Sequence, residues 1–246
     1  MKLNSSDFLG IIPARFNSTR LKGKPLMKIG KKTMIEHVYS RASEVLDNLV
    51  VATDDKNIFD TVNNFGGNVV LTKKDHLNGT SRCLEAVDIW SKELEKSFNY
   101  IINIQGDEPL LHEDHIIKVM ECFNDSKTEF ATIAQKLNSS DNLSKDKVFL
   151  VKDTFNFALY FSRYTIPFVR EHESKGDANE FHQHIGIYGF TKNALEKFHQ
   201  LKPSKLEINE KLEQLRWLEN GGKIKVGTTI FPSFPVDTLE DLISIR

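Results

Sequence analysis

The chain has 246 residues, 39% hydrophobic and 27% charged, and its 33 basic and 34 acidic side chains leave a formal net charge of -1. That length suits one α/β domain with a real core, and near-neutrality excludes bulk attraction to nucleic acid or membrane. No apolar run approaches the about 20 residues of a membrane span, and the N-terminus lacks a secretory pattern, so a cytoplasmic location is expected.

Phe8 to Ile12 is an apolar strand that runs into the loop Ile11 to Pro25. This loop gathers Arg15, Arg20, Lys24, the hydroxyls of Ser18 and Thr19, and Gly23, between Pro13 and Pro25. Cations, hydroxyls and pliant backbone at the C-terminal end of a first strand suit a phosphate-rich ligand. A merely solvated basic loop needs neither the flanking prolines nor a glycine between two lysines. The loop is not a Walker A motif, because six residues separate Gly23 from Gly30 and Lys32 intrudes before Thr33. Thr33-Met34-Ile35-Glu36 reads instead as a capping box opening a helix over 33 to 46.

Leu49 to Thr53 follows as a buried strand, with Asp54-Asp55 read chiefly as the cap of the next helix, marked by Ile58, Val62 and Phe65. Gly66-Gly67 breaks it, Val69 to Leu71 is strand, a helix runs from near Thr80 towards Leu94, and Tyr100 to Ile104 is strand again. A helix over 113 to 123 completes an alternation that indicates βαβ units and a mostly parallel sheet. Cys83 and Cys122, the only two cysteines, fall in helical patterns and read as buried reduced thiols.

Strand-like runs then dominate: 130 to 134, 148 to 151, 157 to 161 and 184 to 190. They suggest a small strand-rich subdomain near 130–205. Ala194, Leu195 and Phe198 mark a short helix, and Leu212, Leu215 and Leu218 another that stops at Gly221-Gly222 in a left-handed cap. A strand over 223 to 230 precedes a terminal helix after Val236-Asp237-Thr238. The polar stretches 138 to 147 and 171 to 180 read as mobile loops.

Ile104-Gln105-Gly106-Asp107-Glu108-Pro109 places a carboxylate just past a strand end, where Mg²⁺ binding or a local turn would each account for it. Asp237 has the same choice between a ligand and a helix N-cap. The eight histidines include His112-x-x-His115 and His182-x-His184. Neither pair has a third ligand nearby, so zinc is not expected, His112 and His115 are expected exposed at a helix start, and His184 is a candidate donor to a polar ligand. Arg163 and Arg170 follow a strand, and either could fork onto a carboxylate or cover apolar surface. Glu213 and Gln214 read as a solvated helix face.

Taken together, these segments resemble the 3-deoxy-manno-octulosonate cytidylyltransferases, the CMP-Kdo synthetases. The resemblance rests on Ile12-Pro-Ala-Arg15 with Ser18-Thr19-Arg20 and Gly23-Lys24-Pro25-Leu26; Ala52-Thr53-Asp54-Asp55; Gly79-Thr80 with Arg82; Gln105 to Pro109; Tyr160-Phe161-Ser162-Arg163; His184 to Tyr188; Leu212 to Arg216; and Val236-Asp237-Thr238. It implies a Rossmann-like nucleotidyltransferase fold and a homodimer formed partly through the strand-rich region. It also implies transfer of CMP from CTP to Kdo with release of pyrophosphate, for lipopolysaccharide synthesis. Pro13, Ala14, Arg15, Ser18 and Lys24 are then expected on the nucleotide, with Gly79, Thr80 and Arg82 on its base side. Asp107 and Asp237 match Mg²⁺ ligands, and Gln105, Arg163, His184, Tyr188, Glu213 and Gln214 match the sugar pocket. The family pattern is broken at Lys22 and Leu239, where proline is usual, and at Ser81, where an acidic residue is usual. Another acidic sugar, such as sialic acid or 8-amino-Kdo, or a non-catalytic nucleotide-sugar module, remains an alternative.

Overall fold

The first strand, β1 (Phe8–Ala14), is buried almost throughout and lies at the centre of the sheet. The computed structural model describes residues 3–17, 21–76, 78–137, 147–170 and 180–245, so Ser18, Thr19, Arg20 and most of the two expected mobile loops lie outside the described residues. After β1 come a two-stranded ribbon, β2 (Lys28–Ile29) and β3 (Lys32–Thr33), helix α1 (Met34–Ser43), β4 (Leu49–Thr53), α2 (Lys56–Asn64) and β5 (Val69–Leu71). Helix α3 (Gly79–Glu93), β6 (Tyr100–Asn103) and α4 (Glu113–Cys122) follow. The second half supplies β7 (Phe130–Leu137), β8 (Phe149–Lys152), β9 (Ala158–Ser162), β10 (Phe181–Thr191), α5 (Lys192–Gln200), α6 (Lys205–Glu210), α7 (Gln214–Glu219), β11 (Lys225–Thr229) and α8 (Leu239–Ser244).

The sheet order is β11-β7-β10-β6-β1-β4-β5. β5, β4, β1 and β6 run parallel, β10 is antiparallel to both β6 and β7, and β11 is parallel to β7. From β1 the chain steps outward to β4 and β5, then returns to the other side of β1 as β6. The order therefore reverses between β1 and β6, where ligand crevices form beyond the strand ends. The expected strand-rich region is present, but its β7 and β10 are continuous with the central sheet. Among the described strands of this sheet, the β8–β9 pair lies off the main strand order, joined to β10 through Leu150 and His182.

Both faces of the central strands are covered, as a parallel sheet requires. Leu9, Ile11, Val50 and Ile101 pack with α3 and α5 through Ala86, Val87, Leu195 and Phe198. Phe8, Ile12, Val51 and Ile102 pack on the other side with α1, α2 and α4 through Ile35, Val38, Ile58, Val62, Ile116 and Val119. Alternation along β1 thus splits one strand between two hydrophobic layers.

Local chemistry accounts for the element ends. Thr33 caps α1 by accepting from the Glu36 N–H, and Asp55 caps α2 by accepting from Asn57 and Ile58. Gly221 adopts φ +80° just past α7, the left-handed stop expected from the sequence. Helix α6 and the β2–β3 ribbon carry too few periodic residues to be read in advance.

Candidate active site

Two adjoining cavities share His76 and Asn78, and the smaller opens beyond the C-terminal ends of β1 and β6. The smaller, about 300 Å³, is lined by Pro13, Ala14, Arg15, Lys24, Gly79, Arg82, Gln105, Asp107 and Asp237 among others. The larger, about 580 Å³, lies between the first turn of α3 and the α6–α7 region, with Glu213, Lys211 and Arg216 in its wall.

The loop after β1 turns Lys24 inward. Gly23 takes φ +70° and donates its N–H to Phe16 O at 2.8 Å, and a tight 3₁₀ turn over Lys24–Leu26 follows. Lys24 is only 9% exposed. Its ammonium donates to Asp107 Oδ2 at 2.7 Å, to Val236 O at 2.8 Å and to Asp237 Oδ1 at 3.2 Å. These three contacts match the three donors of an ammonium group. Lys24 thus bridges the two carboxylates rather than standing clear for phosphate, while Arg15 is exposed on the smaller cavity.

Asp107 and Asp237 are brought together across 130 residues of sequence by a backbone bond, Val236 N–H to Asp107 O at 2.9 Å. Asp237 is not the cap of α8. Thr238 takes that role in a capping box with Asp241, whose Oδ2 also accepts from the Asp237 N–H. Gly106 lets the Asp107 loop reach β1, since a Cβ there would lie 3.1 Å from Pro13 O. Beside this pair, Glu108 is buried and accepts from the Ser233 hydroxyl. Burial, reinforced by the charges of Asp107 and Asp237, pushes its carboxyl up to about 7.

On the α3 side, Asn78 caps the helix by accepting from the Ser81 N–H. Gly79 packs against Pro13, where a Cβ would lie 3.1 Å from the ring. Arg82 is buried, donates to Thr72 Oγ1, and pairs with Asp54 at 3.4 Å. Ser81, in the place of the family's acidic residue, meets His76 Nδ1 at 3.2 Å, and the other ring nitrogen of His76 meets Glu85 at 2.5 Å. His76 was not anticipated. The tripeptide Lys74-Asp75-His76 just past β5 was its only signal.

The residues matched to a sugar pocket separate. Gln105 lines the smaller cavity and Glu213 the larger, but Arg163, His184, Tyr188 and Gln214 line neither. Arg163 is exposed and its guanidinium is taken by Glu210 O at 2.7 Å and Lys211 O at 3.3 Å, the C-terminal carbonyls of α6. His184 meets Thr132 Oγ1 at 3.0 Å, and burial pulls its pKa down to about 3, so it is a neutral ring. Tyr188 donates to Gln214 Oε1 at 3.1 Å inside the core, and burial raises its phenol pKa. Gln214 is 1% exposed, which overturns the solvated-face expectation: α7 packs beside β9, and Gln214 accepts from Tyr188 of β10. His115, expected exposed, is fully buried and bonds Phe231 O. Thr80 is buried beneath the cavity, its hydroxyl bonded to Glu213, not open to a ligand.

The cytidylyltransferase family model matches residues 9–224. A 3-deoxy-manno-octulosonate cytidylyltransferase of Parabacteroides distasonis is 43% identical, with 96% of this chain and 95% of that protein covered. The one from Fusobacterium nucleatum subsp. nucleatum is 45% identical over 96% of this chain and 94% of its own. Among solved structures, a CMP:2-keto-3-deoxy-manno-octonic acid synthetase complexed with CTP superposes with a TM-score of 0.88 at 34% identity, covering 98% of this chain and 97% of the other. The chain belongs to the 3-deoxy-manno-octulosonate cytidylyltransferase family.

Proposed function

We propose that the protein transfers CMP from CTP to the anomeric hydroxyl of Kdo, giving CMP-Kdo and pyrophosphate for lipopolysaccharide synthesis. The observation that carries this reading is the convergence of Asp107 and Asp237 on one cation, the Lys24 ammonium, at the sheet's switch point. The family membership supplies the substrates.

In the reaction, the hydroxyl oxygen of the sugar forms a bond to the α-phosphorus. The bond from that phosphorus to the α,β-bridging oxygen breaks, pyrophosphate leaves, and the hydroxyl proton passes to solvent. Positioning and charge neutralisation do most of this work. Arg15, exposed on the smaller cavity, is placed to neutralise the triphosphate, and the start of α3 lines the same space through Asn78 and Gly79. Glu213 faces the neighbouring cavity, from which the acceptor approaches.

Mg²⁺ fits the donor set. Two carboxylates whose oxygens lie 2.7 and 3.2 Å from one shared cation supply the usual protein share of an Mg²⁺ shell. No group of three or more His, Cys, Asp or Glu side chains among the described residues competes for a metal. When bound there, the ion would neutralise α-phosphate charge and acidify the attacking hydroxyl.

A homodimer is part of the same reading. Leu159, Tyr164 and Phe168, on and after β9, are 62%, 82% and 86% exposed, an apolar strip suited to a second copy. No helix among the described residues is long and apolar enough to cross a membrane. Use of CTP supports a cytoplasmic location. A pyrophosphate-release assay over several nucleoside triphosphates, with Kdo, 8-amino-Kdo and sialic acid as acceptors, tests the assignment. Mg²⁺-dependent turnover only with CTP and Kdo is expected, and turnover with another acceptor alone overturns the choice of sugar.

A further inference from the structure

Asn103 ends β6 at the heart of the sheet, 1% exposed, one residue before the run that carries Gln105 and Asp107. An amide there is costly, since a buried polar atom without a partner gives up its hydration for nothing. Its Nδ2 donates to Thr80 Oγ1 at 3.4 Å, while its Oδ1 has no partner among the described residues. An apolar residue would pack at this position more favourably, as Ile101 and Ile102 do just before it.

The hydroxyl that Asn103 reaches has a second bond. Thr80 Oγ1 donates to Glu213 Oε1, linking the first turn of α3 to the start of α7 across 133 residues of sequence. Glu213 lines the larger cavity, whereas Asn103 and Thr80 line neither. A hydroxyl has one proton. By donating to Thr80, the Asn103 amide leaves that proton for the Glu213 carboxylate and fixes the direction in which it points. The carboxylate is otherwise poorly served, because burial raises its pKa against the help of Thr80 and Arg216.

We propose that Asn103 is a positioning residue for the acceptor sugar: through Thr80 it sets the orientation of Glu213 at the wall of the larger cavity. The inference rests on the cytidylyltransferase reading and deepens it. Glu213 contacts the acceptor; Asn103 acts at one remove. None of Asn103, Thr80 and Glu213 lines the nucleotide's cavity, so the acceptor is expected to feel their loss more than CTP does.

The test uses the full-length enzyme with CTP, Mg²⁺ and Kdo, and the variants Asn103→Asp, which keeps the volume but removes the donor, and Asn103→Ala. Both should raise the KM for Kdo about tenfold with CTP affinity, measured by calorimetry, within twofold of wild type. On a Glu213→Gln background, either change should add less than twofold. A merely structural role would instead weaken both ligands together and multiply fully with Glu213→Gln. That outcome, or an unchanged KM for Kdo in both variants, overturns the inference. A wild-type enzyme that forms no CMP-sugar overturns the proposed function itself, and the inference with it, which separates the two failures.

Discussion

The ammonium of Lys24 sits 2.7 Å from Asp107 Oδ2 and 3.2 Å from Asp237 Oδ1. A lysine in this place keeps two acidic groups together, so the proposed Mg²⁺ would compete with Lys24 for the same oxygens.

Two sets of variants follow from that competition. Asp107→Asn and Asp237→Asn should fold normally and lose turnover by a factor of about 100, the scale of one lost electrostatic contact to a transition state. Lys24→Met should melt earlier without metal, because the carboxylates then repel, and should gain more than wild type when Mg²⁺ is added. Thermal melts with and without Mg²⁺ check the second point; equal metal-induced shifts in both proteins would refute the shared site.

Arg15 brings charge to the smaller cavity and is exposed there. Arg15→Ala should weaken CTP binding by about tenfold, in line with the strength of charge-assisted bonds, and leave Kdo affinity near normal. Titration calorimetry with each ligand decides this. An unaltered CTP isotherm would return the opening loop to a solvated surface.

Glu108 and His184 should tilt stability in opposite directions with pH. Burial raises Glu108 to about 7 from an ordinary 4.5, so the folded state holds the proton more tightly. Its stabilising contribution is complete below 4.5 and is lost as pH rises to about 7. In metal-free buffer, Glu108→Gln, which keeps an acceptor for Ser233, should match wild type near pH 4.5 and exceed it by about 2–3 kcal/mol at pH 8. Urea midpoints at the two pH values measure the difference.

His184 has the reverse sign. Burial lowers its pKa from 6.5 to about 3, so the unfolded chain takes up the proton first. Stability from this ring is full above 6.5 and drains away as pH falls towards 3. His184→Gln should flatten that decline. A variant whose urea midpoint falls as steeply as wild type between pH 6.5 and 4 would show that another group carries the acid sensitivity.

Much of this architecture could be read along the chain because its signals are local. Thr33, Asp55 and Gly221 mark helix ends through contacts with residues a few positions away. The opening loop and the Asp107 turn were visible for the same reason, as short segments beyond apolar strands. What escaped depends on pairs distant in sequence. Gln214 reads as solvated along the chain but meets Tyr188 in the core, and Arg163 reads as a fork for a carboxylate or a cover for apolar surface but donates to the carbonyls that end α6. Lys24 gave no sign that its partners would be acids, and Asn103 was silent because a single polar residue at a strand end carries no period. His76 belongs with them: its partners Ser81 and Glu85 are near in sequence, yet the loop that holds it follows no repeating pattern.

The exposed strip at Leu159, Tyr164 and Phe168 tests assembly directly. Replacing Phe168 and Tyr164 together with Glu should shift the protein to a monomer in sedimentation at micromolar concentration without lowering its melting temperature by more than a few degrees. A variant that stays dimeric would move the interface elsewhere.

Gly106 turns a backbone detail into a constraint on how this enzyme can vary. The nearest atom to a Cβ at 106 is the Pro13 carbonyl oxygen, at 3.1 Å. That oxygen belongs to the central strand and has no rotamer to change. Even a methyl group would have to be accommodated by sliding the whole loop, and Asp107 would travel with it. Such a substitution would displace the Asp107 carboxylate from Lys24 and Asp237 far more than it would cost the fold, so drift at this position is closed off by chemistry before it is closed off by packing.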